Sequence, residues 1–173
     1  YFKLQSFAFM PIFGLNNGMI PIIAYNYGAK KEDRVIKALM LAAMYAEIIM
    51  VLFMVMVQII PVSMLSLFNA SSDMIKMGVP ALRIISISFI FAGICIICSS
   101  FFQALGSSVY SMLVSFVRQI VFLVPCAYIF SKTGNVNLVW WAWPIAEIAS
   151  LSLSVFFFMR VKKKKFGYME NDD

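Results

Sequence analysis

Three ionisable side chains stand inside long apolar runs of this chain: Glu47, Arg118 and Glu147. A charge in hydrocarbon is costly, so such residues persist where they pair, bind an ion or meet a solute. A carboxylate at that depth can release and take up a proton or a sodium ion while a solute moves the other way. The other reading is a Glu–Arg pair that locks helices together, because a paired charge is far less costly to bury than a lone one. Measured from the basic-flanked ends of their spans at about 1.5 Å per residue, Glu47 lies ~18 Å deep, Glu147 ~20 Å and Arg118 ~13 Å. The two acids sit near the midplane, and Arg118 reaches either one if the helices adjoin. Glu147 is a candidate for the ion or substrate pathway or for gating. Glu47 and Arg118 are candidates for the same pathway, although Glu47 also reads as structural, with Tyr45 as a local partner, and Arg118 as a structural counter-ion.

Asn16 and Asn17 form a second polar group, in the first apolar run between Pro11 and Pro21. An amide in hydrocarbon needs a hydrogen-bond partner. Carbonyls freed by the two prolines, a neighbouring helix or cavity water would supply one. Gly14-x-x-x-Gly18 offers a face on which another backbone can approach closely. A helix with these features faces a bundle interior. Asn16 and Asn17 therefore join the pathway candidates, and Pro11, Gly14, Gly18 and Pro21 are assigned to helix breaking and packing.

The elements that must hold these residues follow from composition. Of 173 residues, 62% are hydrophobic and 13% charged, against roughly half and a quarter in soluble domains. The expectation is an all-α integral membrane protein. Five runs, 2–28, 35–61, 80–104, 109–130 and 139–160, are each long enough to cross a ~30 Å hydrocarbon core. Residues 62–78 connect the second to the third, with Asn69, Ser71, Ser72 and Asp73 as candidate caps of a short interfacial helix. Residues 1–160 thus make a helical bundle, and 161–173 a basic then acidic tail. Lys30, Lys31, Arg34 and Lys37 in the first loop fall on the same side as Arg160 and Lys162 to Lys165. Basic residues beside spans favour the cytoplasm, so that side and the C-terminus are expected inside. The net charge of +6 is then a matter of topology and anionic headgroups, and no nucleic-acid partner is expected. Trp140, Trp141 and Trp143 at the outer end of the fifth span read as an interfacial belt.

Chemistry of other kinds finds little support. Cys95-x-x-Cys98 has a redox or metal spacing, but the chain has no histidine and no second cysteine pair. Both thiols, with Cys126, read as small buried groups, and neither a metal nor a cofactor is expected. Without a nucleophile–base pair or a phosphate loop, an enzyme is not expected. The chain opens with Tyr1 inside an apolar run, which reads as a fragment whose N-terminal part is missing.

Pro11, Gly14 and Pro21, followed by Tyr25-Asn26-Tyr27-Gly28-Ala29-Lys30 and Arg34, resemble the eighth-helix signature of the multidrug and toxic compound extrusion (MATE) transporters. Phe102-Gln103-Ala104-x-Gly106, Arg118-Gln119 with Pro125, and Val139-Trp140-x-Ala142-x-Pro144-x-Ala146-Glu147 follow in the family's order, and the resemblance extends to about Arg160. It implies a twelve-helix transporter made of two six-helix bundles, with both ends cytoplasmic. This chain would supply helices eight to twelve, and the N-terminal half of the same transporter would be its partner. The resemblance further implies a multi-pass antiporter of the cell membrane that exports drugs and other organic cations, coupled to protons or sodium. In that family the ion-coupling acids lie in the first helix, the seventh and, in one branch, the tenth. The tenth-helix match, 80–104, holds only Arg83 as a charge. That departure is similar to the DinF and MepA-like branch and places coupling chemistry upstream. The alternative is a lipid-linked glycan flippase of the same superfamily. Moving a pyrophosphate headgroup calls for several cationic side chains in the cavity, and here only Arg118 lies in the middle of a span. A membrane scaffold leaves the mid-membrane acids and the proline–asparagine helix without a role.

Overall fold

The computed structural model describes residues 2–67 and 71–166, and among them the regular structure is entirely helical. Four helices are long and apolar enough to cross a membrane, or five when one bent pair is counted as a single span. The elements are α1 (Phe2–Gly28), α2 (Glu32–Ile59), α3 (Pro61–Ser66), α4 (Ser72–Ser86), α5 (Phe89–Ala104), α6 (Ser108–Phe116), a π-helical segment (Val117–Leu123), α7 (Val124–Ser131), α8 (Val136–Trp140) and α9 (Ala142–Phe166). The core gathers Ile12 and Ile23 of α1, Val35 and Met50 of α2, Ile97, Phe101 and Phe102 of α5, and Val161 of α9. Phe101 packs on Phe158 with ring centroids 5.3 Å apart, and Phe102 on Tyr110 at 6.1 Å. Large apolar side chains such as Met40, Leu52 and Phe156 point outward, as a surface in hydrocarbon requires.

Helix breaks fall elsewhere than the prolines suggest. Pro11 and Pro21 both lie inside α1, which continues through them from Phe2 to Gly28. Within a membrane the backbone groups that a proline frees can be met by neighbouring helices, so the helix need not end there. The break comes instead in the third span, which is two helices bent by 54° between α4 and α5. Hydroxyls take up the carbonyls this bend opens. Ser86 Oγ donates to the Arg83 carbonyl at 3.0 Å, and Ser88 Oγ to that of Ile85 at 2.6 Å. From α2, Gln58 Nε2 donates to the same Arg83 carbonyl at 2.9 Å and to Ser86 Oγ at 3.0 Å.

The first half of that bent span begins earlier than the run of apolar residues. Ser71 caps α4 by accepting from the Met74 amide at 3.4 Å, and Pro80 lies within the helix instead of opening it. Much of the expected connection over 62–78 is thus helix, as α3 and the start of α4. Asn69, one of the expected caps, lies outside the described residues. Downstream, Gly106 (φ +67°) closes α5. The Ser107 amide reaches back to the Phe102 carbonyl at 2.7 Å and the Gly106 amide to that of Gln103 at 3.0 Å, the paired bonds of a left-handed helix terminus.

The tail also differs from expectation. Its basic stretch is not a separate segment, because α9 continues past Arg160 to Phe166 with Val161 and Phe166 buried. Lysine is a good helix former, and the apolar positions tie this turn to the loop after α1. Phe166 meets the Tyr27 ring edge-on at 5.8 Å, and Lys162 Nζ lies 3.5 Å from Glu32 Oε1. The two basic segments therefore share one end of the bundle. The acidic end of the tail lies outside the described residues.

Candidate functional site

Arg118 stands in the π-helical segment, whose wider turn closes with the Val124 amide bonded to the Gln119 carbonyl. Pro125 follows directly. A proline ring clashes with the carbonyl four residues before it, and a π turn shifts that carbonyl aside. The residue is thereby re-aimed toward α9. There, Ala142, Ala146, Ser150 and Ser154 form a buried stripe of small residues that brings α5 close, and Glu147 lies beside it. Arg118 Nη1 and Glu147 Oε1 are 2.8 Å apart. The two ends of the pair differ. The arginine side chain is 34% exposed, whereas that of the glutamate is 10% exposed. Glu147 Oε2 is buried without a hydrogen-bond partner among the described residues.

A cavity of about 310 Å³ opens on the other side of Arg118, among α1, α5, α6 and α9. Its polar lining consists of Asn16, Asn17, Ser99, Ser100, Gln103, Ser111, Ser115, Arg118 and Ser150. Asn16 is buried, with its Oδ1 unpartnered, while Asn17 is exposed at the cavity edge. Gln103 Nε2 donates to Ser111 Oγ at 3.2 Å. Cys95 lies against Ser150 and Ser154, and all three cysteines are free thiols. A second cavity, of about 330 Å³, is lined by Gln5, Arg118, Gln119, Leu123, Trp143, Ala146 and Glu147. Arg118 borders both.

The structure thus unites Asn16, Asn17, Arg118 and Glu147 around two adjoining cavities. Glu47 lines neither of them. Its Oε2 is buried without a hydrogen bond, packed into the space left by Gly93, where a Cβ would stand 3.2 Å away. Tyr45 is half exposed and makes no bond to it. Residues two apart on a helix point to different sides, which is why Tyr45 cannot serve as its partner. Among the described residues, no other part of the chain lies within 4 Å of where a Cβ would stand at Gly14 or Gly18. They border a groove of about 610 Å³ between α1 and α2. The serines and Gln103 were not among the sequence candidates. Their signal was positional, since Ser111, Ser115 and Arg118 are spaced to share one helix face inside an apolar run.

Comparison with known proteins bears on the family and the fold. The MatE family model matches residues 1–129. The multidrug export protein MepA of Staphylococcus aureus (strain MSSA476) is 28% identical over 148 residues, which cover 84% of this chain and 32% of that protein. The MATE multidrug transporter DinF-BH, solved in complex with a small molecule, superposes with a TM-score of 0.84 at 32% identity, over 95% of this chain and 36% of its own. A MOP superfamily transporter from Pyrococcus furiosus shares the fold, at a TM-score of 0.86 and 20% identity over 94% of this chain and 37% of its own. The chain therefore spans about a third of the length of the relatives it matches. With a family match over most of its length and an all-helical bundle of membrane-crossing helices, this chain belongs to the MatE family, whose members are transporters and not enzymes.

Proposed function

We propose that this chain forms part of a secondary antiporter that exports organic cations and drugs, driven by an inward proton or sodium gradient. The observation that carries the reading is the polar cavity inside the bundle, lined by Asn16 and by Arg118, whose guanidinium is paired on its far side with Glu147 at 2.8 Å. Hydrocarbon-facing helices have no need of nine polar lining residues, and intramembrane polar groups mark solute and ion routes. Parallel repeats of transporters place such routes in and between their halves. A further helical bundle, the N-terminal half of the same transporter, is then the partner that completes the pathway. The multidrug export proteins among the relatives favour drugs over other solutes. The seat of the protein is the cell membrane, with the end that carries Lys30 and Lys162 in the cytoplasm.

The test is efflux of ethidium from vesicles that contain the intact protein, under imposed proton or sodium gradients. Efflux that requires one of the gradients supports the antiporter and names its coupling ion. No efflux under either gradient overturns it, and translocation of a lipid-linked glycan by the same vesicles would turn the assignment to a flippase.

A further inference from the structure

The cavity beside Glu147 differs in kind from its polar neighbour. Apart from its charged pair it offers Leu123, Ala146 and the indole of Trp143, with the amides of Gln5 and Gln119. Trp143 is braced by Trp140, their ring centroids 5.7 Å apart. A hard inorganic cation asks for about six oxygen ligands, more than this wall supplies. A carboxylate one helical turn along α9 from a tryptophan, in a cavity that also has aliphatic walls, suits a cation whose charge is spread over an apolar body, since such ions gain from an aromatic ring as well as from the negative charge. The volume of about 330 Å³ falls within the small end of ordinary ligand pockets.

Glu147 is only half used. Oε1 holds Arg118, and Oε2 is buried with no hydrogen-bond partner among the described residues. Arg118, in contrast, is a third exposed, borders both cavities, and belongs to a π-helical segment in which no residue is buried. Its side chain can turn from Glu147 into the polar cavity among Asn17, Gln103 and Ser115 without leaving hydrogen-bonding surroundings.

Resting on the transporter reading, we infer that the Glu147 cavity binds a small lipophilic organic monocation, and that Arg118 is a built-in competitor which occupies Glu147 until the ligand displaces it toward the polar cavity. The ligand and the guanidinium exchange on one carboxylate. The buried acid is thus never left without a positive partner, which would be the costly state. Binding on one side of Arg118 also changes the lining of the cavity on the other, giving the two a direct mechanical link.

Equilibrium binding of the fluorescent cation 4-(4-dimethylaminostyryl)-N-methylpyridinium to the intact purified protein, with no gradient present, tests this apart from transport. Glu147→Gln is expected to weaken binding by about tenfold or more, as removal of one charge of a buried pair does. Arg118→Gln is expected to strengthen it, because the competitor is gone. Trp143→Leu leaves the ion pair intact and is expected to weaken binding, with Trp143→Phe recovering part of the loss. The Trp143 pair decides the matter if either charge variant fails to fold. No binding by the parent protein, equal binding by Glu147→Gln, weaker binding by Arg118→Gln in a folded protein, or no effect of Trp143→Leu would each overturn the assignment. Gradient-driven efflux that survives any of these outcomes keeps the antiporter and removes only this site. The opposite-sign pattern without efflux keeps the site and removes the antiporter.

Discussion

At the scale of single residues, a charge or amide inside an apolar run announces itself, whereas its partner does not. Glu47, Arg118, Glu147, Asn16 and Asn17 were all visible in the sequence because polarity in hydrocarbon is rare. Which acid Arg118 meets was open, since its reach allowed either, and the π turn before Pro125 decides for Glu147. Tyr45, the sequence's local partner for Glu47, is near it in the chain but not on the helix face. The real neighbour of Glu47 is a glycine on α5. A Cβ at Gly93 would stand 3.2 Å from Glu47 Oε2 and 3.2 Å from Met50 Cγ, tighter than ordinary contact. Gly93→Ala is therefore expected to destabilise the folded protein by about 1–3 kcal/mol, the usual penalty of overpacking. Glu47→Ala should relieve part of that loss when combined with it, because the two positions share the crowded space. Thermal unfolding in detergent of the parent, both single variants and the double variant measures this, and strict additivity would show that Gly93 does not make room for Glu47.

At the scale of elements, apolar length pointed to the helices able to cross, five when the bent pair is counted as one span, but misplaced the breaks. Proline is the usual cue, yet α1 continues through Pro11 and Pro21 while the third span bends where Ser86 and Ser88 stand. Those hydroxyls can satisfy opened carbonyls, and Gln58 from α2 adds a donor that no local pattern foretells. Turns were easier to read. Gly106 was expected to turn the chain, and it does so at φ +67° with open space where a Cβ would be. Gly106→Ala thus meets no clash and carries only the penalty of placing an L-residue in the left-handed region, about 1–2 kcal/mol. A shift in thermal unfolding of that size, with the cavity lining unchanged, is the expected result. A null shift would mean that the turn between α5 and α6 relaxes to another conformation, since among the described residues nothing else approaches the site.

For the whole molecule, the sequence predicted that two basic segments far apart in the chain would lie together, and the packing of α9 against the loop after α1 bears this out. Lys162 reaches Glu32, and Phe166 and Lys165 both meet Tyr27, with Lys165 Nζ 5.7 Å from the ring centre. The folded bundle sets which end carries the positive charge, and the bilayer then sets which way that end faces. Nine of the chain's fourteen Lys and Arg residues, namely Lys30, Lys31, Arg34, Lys37, Arg160 and Lys162 to Lys165, belong to these two segments. The tryptophans occupy the α8–α9 junction, beyond Glu147 along α9 from that end. By the positive-inside rule the basic end is expected in the cytoplasm. Single cysteines at exposed positions, in a background without Cys95, Cys98 and Cys126, read the orientation directly. Lys164→Cys is expected to react with a membrane-impermeant maleimide only after cells are opened, and Thr133→Cys to react in intact cells. The reverse pattern would place the basic end outside. It would also turn the Glu147 cavity toward the cytoplasm, so that a cation reaching Trp143 first would be one awaiting export and not one about to leave.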